Sequence, residues 1–350
     1  MASSDSLLLG HLRVVEFAEQ VSTRYAGRVL ADLGATVERF GPVDNDPDEP
    51  TLLDLYLNMG KVVRSHLDSS NAASVGPALS GADIVLVDGG RRVIANDGLL
   101  NSARSNPIVV AMCSPYGQNS PYHSLCEDEL FLAALSGIAS ETPEEFEDRT
   151  SERPMQMYAH QASLLGGLTL AVACLQALRT VRRTNQAVVI DFGVLDAVAS
   201  VPLISQAAGF AKRRAPNPPS MRPRTVPRGF LRCEDGYVYT QGGDDNWKAW
   251  AELVGRSDWN EPPWDAPDYR QAHWDEADDV ITSWLLNRPA SVVYRECQER
   301  GVTAFPVHSI SQVLSNPQIN HRQVVRSTSE DGSLFHSLRS PIRFFDHDHQ

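Results

Sequence analysis

The first forty residues constrain the fold most. Residues 12–17 read LRVVEF, an apolar and β-branched run of the kind a strand buried on both faces requires. Residues 24–35, RYAGRVLADLGA, carry apolar side chains at helical spacing, with Gly34 placed to stop the helix. TVERF follows as a second strand. A strand, a helix and a strand in so short a stretch predict a parallel pair joined by a right-handed crossover. The alternation returns in ADIVLVDGG (82–90) and NPIVVAMCSPYG (106–117), then in a long apolar helix over 163–183 and the strand AVVIDF (187–192). Strands separated by helices predict an α/β, Rossmann-like, doubly wound sheet.

Beyond that domain the composition changes. ETPEEFEDRTSE (141–152) is acidic and reads as a solvated loop or short surface helix. Residues 212–228, KRRAPNPPSMRPRTVPR, hold six basic residues, five prolines and no acid, which predicts an extended connector. GFLRCEDGYVYTQGG then predicts a hairpin turning at Glu234-Asp235-Gly236, followed by a tryptophan-rich region and a helix over 290–300. The predicted organisation is a large α/β domain over 1–211, the connector, a smaller α+β domain over 229–320, and a segment over 321–350 returning to the large domain.

A net charge of −13 argues against nucleic acid as the main partner, because phosphate binding needs a positive field. The five cysteines are odd in number and scattered with no C-x-x-C, which fits reduced thiols in a cytoplasmic protein. The N-terminus lacks the basic and apolar regions of a signal peptide. The apolar segment 162–178 is broken by Ser163, two glycines, Thr169 and Gln176, so a buried helix is expected and no membrane span. The first β-α turn, FAEQVSTR, has no glycine fingerprint, so neither a nicotinamide nor a flavin cofactor is expected. DNDPDE (44–49) lacks the glycine and glutamate of a calcium loop, the terminal HDHQ reads as a frayed tail, and no metal site is expected.

Read in order, LRVVEFAEQVSTRYAGRVLADLGATVERFGP, LNMGKVVRSHLD, ADIVLVDGG, NPIVVAMCSPYGQNSPYH, ELFLAALSG, GGLTLAVACLQALRTVRRT, VVIDFGVLDA, GVTAFPVHSISQVLSNPQI and SPIRF resemble the family III CoA-transferases. This group includes formyl-CoA and carnitine-CoA transferases and the α-methylacyl-CoA racemases. The resemblance spans roughly residues 8–345. It implies a large α/β and a small domain joined by long connectors, two chains interlocked as a dimer, and an acyl-CoA or carboxylic acid as partner, with coenzyme A as the carried group.

In such transferases an aspartate near the start of the long apolar helix attacks the thioester, giving a mixed anhydride and then an enzyme-bound CoA thioester. The resemblance places Ser163 at that position, and a one-residue slip gives Ala162; neither is acidic. A serine ester lies well below a thioester in energy, and serine has no carbonyl to pass to CoA. Serine also needs a base, and His160 stands three residues before it. The plainer reading has Ser163 capping the helix and His160 on the surface. The racemases carry a histidine-aspartate pair where this chain has Asp128-Glu129, and Asp244 matches a racemase glutamate. For coenzyme A, Lys61 matches a phosphate-pairing lysine, Gln20, Val21 and Ser22 follow the first strand where the family meets its ligand, and Arg91 and Arg92 are candidate phosphate clamps. The family usually carries an asparagine where this chain has Asp88.

Three functions fit these residues. The chain is an aspartate-lacking subunit working with a homologous chain, or an enzyme of changed chemistry (isomerase, lyase, cyclase or hydrolase), or a non-catalytic binding protein.

Overall fold

The computed structural model describes residues 8–41, 51–64, 72–88, 106–122, 125, 128–141, 158–202, 227–330 and 333–343. The chain divides into two units, one of residues 1–142, 155–213 and 323–350, the other of 143–154 and 214–322.

The first unit is built on β1 (Arg13–Phe17), α1 (Val21–Asp32), β2 (Thr36–Phe40), α2 (Leu52–Asn58), β3 (Val62–Arg64), α3 (Ala72–Leu79), β4 (Ile84–Asp88) and β5 (Val109–Ser114). It continues through α4 (Glu129–Ser136), the single turn α5 (Ile138–Glu141), α6 (Gln161–Thr184), β6 (Val188–Gly193) and α7 (Val194–Ala199). The six strands form one parallel sheet in the order β3-β2-β1-β4-β5-β6. The order reverses between β1 and β4, as the alternating sequence predicts for a doubly wound fold.

Strand side chains divide between two cores. Val14, Val37, Ile84, Leu86, Val109 and Ala111 pack with Ala26 and Leu30 of α1 and Leu170 and Cys174 of α6. Val15, Phe17, Val85, Val87 and Val110 pack on the other face with Ala78 and Leu79 of α3. Burial on both faces explains why the sequence runs are continuously apolar and do not alternate.

Helix α6 has 24 residues and is long and apolar enough, by length and composition, to cross a membrane. That corrects the sequence expectation that the segment falls short of a span. Its face of Ala162, Ser163, Gly166, Gly167, Leu170, Ala171, Cys174, Ala177, Leu178 and Val181 is instead buried within the unit. Gly167 permits the approach of α6 to α1: a Cβ there would lie 2.3 Å from the Ser22 carbonyl oxygen and 3.1 Å from the Ala26 nitrogen. The basic end of α6 carries Arg182 and Arg183, which suit the negative end of the helix dipole. A hairpin, β10 (Val325–Glu330) and β11 (Ser333–Leu338), completes this unit, and Arg28 of α1 donates to the Leu338 carbonyl at 3.3 Å.

The second unit carries β7 (Arg228–Cys233) and β8 (Gly236–Gln241), the hairpin expected around Glu234-Asp235. With β9 (Ala304–Pro306) they form a three-stranded antiparallel sheet. Helices α8 (Trp247–Val254), α9 (Pro267–Ala272), α10 (Trp274–Leu286) and α11 (Ala290–Glu299) accompany it. Trp247, Trp250, Trp259 and Trp264 lie in the core with Leu231, Val238, Ile281, Val293 and Cys297. Stacking holds Trp247 and Trp259 with ring centroids 4.8 Å apart. The acidic stretch from residue 142 to 152, the connector up to residue 226, the DNDPDE loop and the HDHQ tail lie outside the described residues.

Candidate functional site

Two groups of candidate residues sit near the carboxyl ends of the parallel strands or at the start of α6. The first is the turn from β1 into α1. Gln20 is the N-cap of α1 with no side-chain capping bond, and Val21 is its first residue. Ser22 is buried, with its hydroxyl 3.6 Å from the Cys113 sulfur at the end of β5. The turn is held by Asp88, the last residue of β4, whose Oδ2 accepts the Glu19 N–H at 2.6 Å and the Gln20 N–H at 3.0 Å. Burial pushes the Asp88 carboxyl up to about 6, against the opposing effects of the Thr23 hydroxyl and the two amides.

Lys61 is placed differently from a ligand lysine at the surface. Its side chain is fully buried, and Nζ donates to Glu16 Oε2 at 2.6 Å and to the Arg24 carbonyl at 2.7 Å. Glu16, on β1, also faces Arg39 of β2 at 3.5 Å, and Arg39 donates to the Ala18 carbonyl at 3.3 Å. Arg24 pairs with Asp54 of α2 at 2.8 Å. Burial lowers the Lys61 ammonium to about 8, opposed by the charge of Glu16, and burial raises Glu16 against the pull of Lys61. Gly27 makes room for this pair, because a Cβ there would stand 1.9 Å from Glu16 Oε2. The charged cluster thus lies beneath the β1–α1 turn as a scaffold. Sequence reasoning missed it, although Glu16 and Arg39 inside otherwise apolar strands are its visible signal.

The second group surrounds the start of α6. His160 is the N-cap, with no side-chain capping bond, and Ser163 is the third helical residue. Ser163 therefore does not cap the helix, contrary to the plainer sequence reading. The capping group comes from Glu129, the first residue of α4: its two carboxylate oxygens accept the Ala162 and Ser163 N–H groups, each at 2.9 Å. An anion at this end is favoured by the unpaired amides and the helix dipole. The His160 Nδ1 lies 3.7 Å from Glu129 Oε1, and the ring is half-exposed while Ser163 is 2% exposed. Asp128 is occupied locally as the N-cap of α4, accepting from the Leu130 and Phe131 amides. Asp128, Glu129, His160 and Ser163 are therefore gathered at the α4 and α6 starts. The Glu129 contact spans 33 and 34 residues, and only its place beside the candidate Asp128 hinted at it.

Asp244 opens a short 3₁₀ turn, Asp244–Asn246, in the second unit. Arg91 and Arg92 lie outside the described residues. Among the described residues no group of three or more His, Cys, Asp or Glu side chains is arranged to hold a metal ion. A cleft of about 360 Å³ lies at the opposite, amino end of the sheet, between His11 and Leu12 ahead of β1 and Leu175, Leu178 and Arg182 of α6.

A sequence model described as CoA-transferase family III matches residues 9–350. The succinate–glutarate CoA-transferase of Agrobacterium fabrum is 25% identical over 362 residues, covering 95% of this chain and 88% of that protein. The succinyl-CoA:(R)-benzylsuccinate CoA-transferase subunit BbsE of Thauera aromatica is 24% identical, covering 91% of this chain and 83% of its own length. The crystal structure of Rv3272 from Mycobacterium tuberculosis has the same fold, with a TM-score of 0.80 at 22% identity over 97% of this chain and 93% of that one.

Proposed function

The chain belongs to CoA-transferase family III, and we propose that it acts on acyl-CoA thioesters and carboxylic acids as the member of a pair that lacks the nucleophilic carboxylate. The observation that carries this reading is Ser163. It occupies the third position of α6, buried, with its amide given to Glu129. A carboxylate at this place can be acylated to an anhydride and can then form a thioester with CoA. A hydroxyl can do neither at comparable energy. Among the described residues the carboxylate that meets the Ser163 amide is Glu129, and it already accepts two helix amides.

A relative named as a subunit supports a heteromeric arrangement. So do the open apolar residues of the first unit, which include Leu130, Phe131 and Leu135 of α4 and Leu168 and Val172 of α6, all exposed in the single chain. We place the β1–α1 turn at Gln20–Ser22 against the coenzyme, Arg91 and Arg92 on its phosphates, and Lys61 beneath the turn as a support. The dimer, of like or unlike chains, would interlock as the family's fold implies, and the cytoplasm is its proposed location.

The test is transfer from succinyl-CoA to a panel of carboxylic acids by the purified chain, alone and with a homologous chain carrying the aspartate. Mass spectrometry after hydroxylamine treatment reads any acyl or CoA adduct. The chain alone is expected to show neither turnover nor adduct, and the mixture to show both. Full transfer by the chain alone would sink the subunit reading. If E129Q then abolished that activity, the nucleophile would be Glu129. A second reading, changed chemistry on a thioester, is favoured by His160 standing 3.7 Å from Glu129 beside a buried serine. Full thioester hydrolysis or isomerisation by S163A would remove Ser163 from it.

A further inference from the structure

Ligands of open parallel sheets lie beyond the carboxyl ends of the strands, where the strand order reverses. Here that place lies between β1 and β4, and the chain leaving β1 is held there from two sides. Arg39, buried in β2, donates to the Ala18 carbonyl at 3.3 Å. Asp88, at the end of β4, accepts the next two amides, those of Glu19 and Gln20, at 2.6 and 3.0 Å. These contacts join residues 68 and 69 apart, so the turn's conformation is imposed by β4 and is not intrinsic to its own sequence. The Asp88 carboxyl is buried, and the Thr23 hydroxyl of α1 also hydrogen-bonds to it. Burying a carboxylate works against stability, and such groups concentrate where function requires them.

We propose that Asp88 is a positioning residue: its carboxylate fixes the β1–α1 turn in the conformation that receives coenzyme A and thereby sets the affinity of this crevice. The proposal rests on the acyl-CoA reading above. Ionised carboxylates accept amide hydrogen bonds more strongly than neutral ones, so the clamp depends on charge. Burial brings the Asp88 carboxyl up to about 6, and it therefore loses its charge as pH falls from 7.5 to 5. The groups facing it are known on each neighbouring described element. Glu16 of β1 adds a like charge, the Thr23 hydroxyl of α1 favours the ionised form, and Cys113 of β5 is its register partner. Glu19 in the turn is exposed, while Arg39, Lys61 and Arg24 act on Glu16. Residues 89–105 lie outside the described residues.

The experiment compares the unaltered chain with D88N and D88A at pH 7.5 and pH 5. Amide hydrogen exchange over residues 17–24, corrected for intrinsic rates, reads the turn; calorimetry with coenzyme A reads the crevice; circular dichroism checks that each variant is folded. At pH 7.5 protection should rank unaltered, then D88N, then D88A. The unaltered chain at pH 5 should resemble D88N. Its coenzyme A affinity should fall by about fivefold more than that of D88N between the two pH values, the effect at pH 5 of a pKa lowered by one unit, from about 6, on binding. Using D88N as the reference removes the ligand's own phosphate ionisation. Equal protection in all three chains at pH 7.5, or the same pH slope in D88N, would overturn the role of Asp88. If the unaltered chain bound no coenzyme A at either pH, the acyl-CoA reading and the affinity role would both fall. The exchange ranking would still decide whether Asp88 sets the turn.

Discussion

Replacing Gly167 with alanine sets two effects of the same methyl group against each other. In an open helix the change is favourable by about 1 kcal/mol, because glycine carries the larger backbone entropy cost. At Gly167 the added Cβ would lie 2.3 Å from the Ser22 oxygen, 3.0 Å from the Tyr25 Cβ and 3.1 Å from the Ala26 nitrogen. Two of these neighbours are backbone atoms of α1 or its first turn, which cannot rotate away. Restoring an ordinary contact of about 3.4 Å requires α6 and α1 to separate by about 1 Å, which forfeits a quarter to a half of each close dispersion contact along the crossing. Overpacking of this kind costs about 3 kcal/mol at the upper end of its usual range. The net expectation for G167A is therefore a loss of about 2 kcal/mol, or about 1 M in urea midpoint at a slope of about 2 kcal/mol/M. All six tryptophans lie in the second unit, so circular dichroism must follow the first while fluorescence follows the second. The control is G76A in α3, where a Cβ meets nothing within 4 Å beyond its chain neighbours and no loss comparable to that of G167A is expected. A G167A chain as stable as its parent would refute the close α1–α6 approach.

Three further changes probe the site. E129A removes the acceptor of two amides at the start of α6 and is expected to destabilise the first unit by about 1–2 kcal/mol in the same urea assay; a change below about 0.5 kcal/mol would mean that the cap is not formed. K61A leaves Glu16 buried and without its nearest cation, at a cost of about 3–5 kcal/mol. A lysine that only met ligand phosphates would instead give a stable protein with weakened coenzyme A binding. For Asp88 the folded carboxyl titrates at about 6 against 3.8 in its ordinary state, so between those values the folded chain holds the extra proton. Its contribution to stability therefore falls as pH rises through that window and is lowest above it. D88N should flatten this dependence in denaturation profiles and raise stability at pH 7.5 by at most about 3 kcal/mol, from about 1.4 kcal/mol per unit; an unchanged profile would show that Asp88 does not titrate there.

Five strands of the first unit and its helices α1 and α6 are legible in the sequence because their signals are local, whereas β3, α2, α3 and α4 are not. LRVVEF and TVERF become β1 and β2, and the helical spacing between them becomes α1, beginning three residues earlier than the apolar pattern indicates. The hairpin at Glu234-Asp235 follows in the same way from turn chemistry. Fold class and family needed little more than such patterns in their order.

The site was decided elsewhere. Lys61 in LNMGK matches a phosphate-pairing lysine, yet its ammonium is enclosed by Glu16, 45 residues away, and by the Arg24 carbonyl. Glu129 caps a helix 33 residues on, and Asp88 fixes a turn 68 residues back. No local pattern marks which partners meet, although Glu16 and Arg39 inside apolar strands do signal a buried charge. A charge's energy depends on the solvent and partners around it, and only the packed sheet and helices set those. The sequence by itself determined the principal strands and helices of the sheet domain and the family to which the chain belongs. The tertiary structure decided which charges are buried, which carboxylate faces the start of α6, and which one holds the turn, because desolvation and hydrogen bonding act between segments that only the fold brings together.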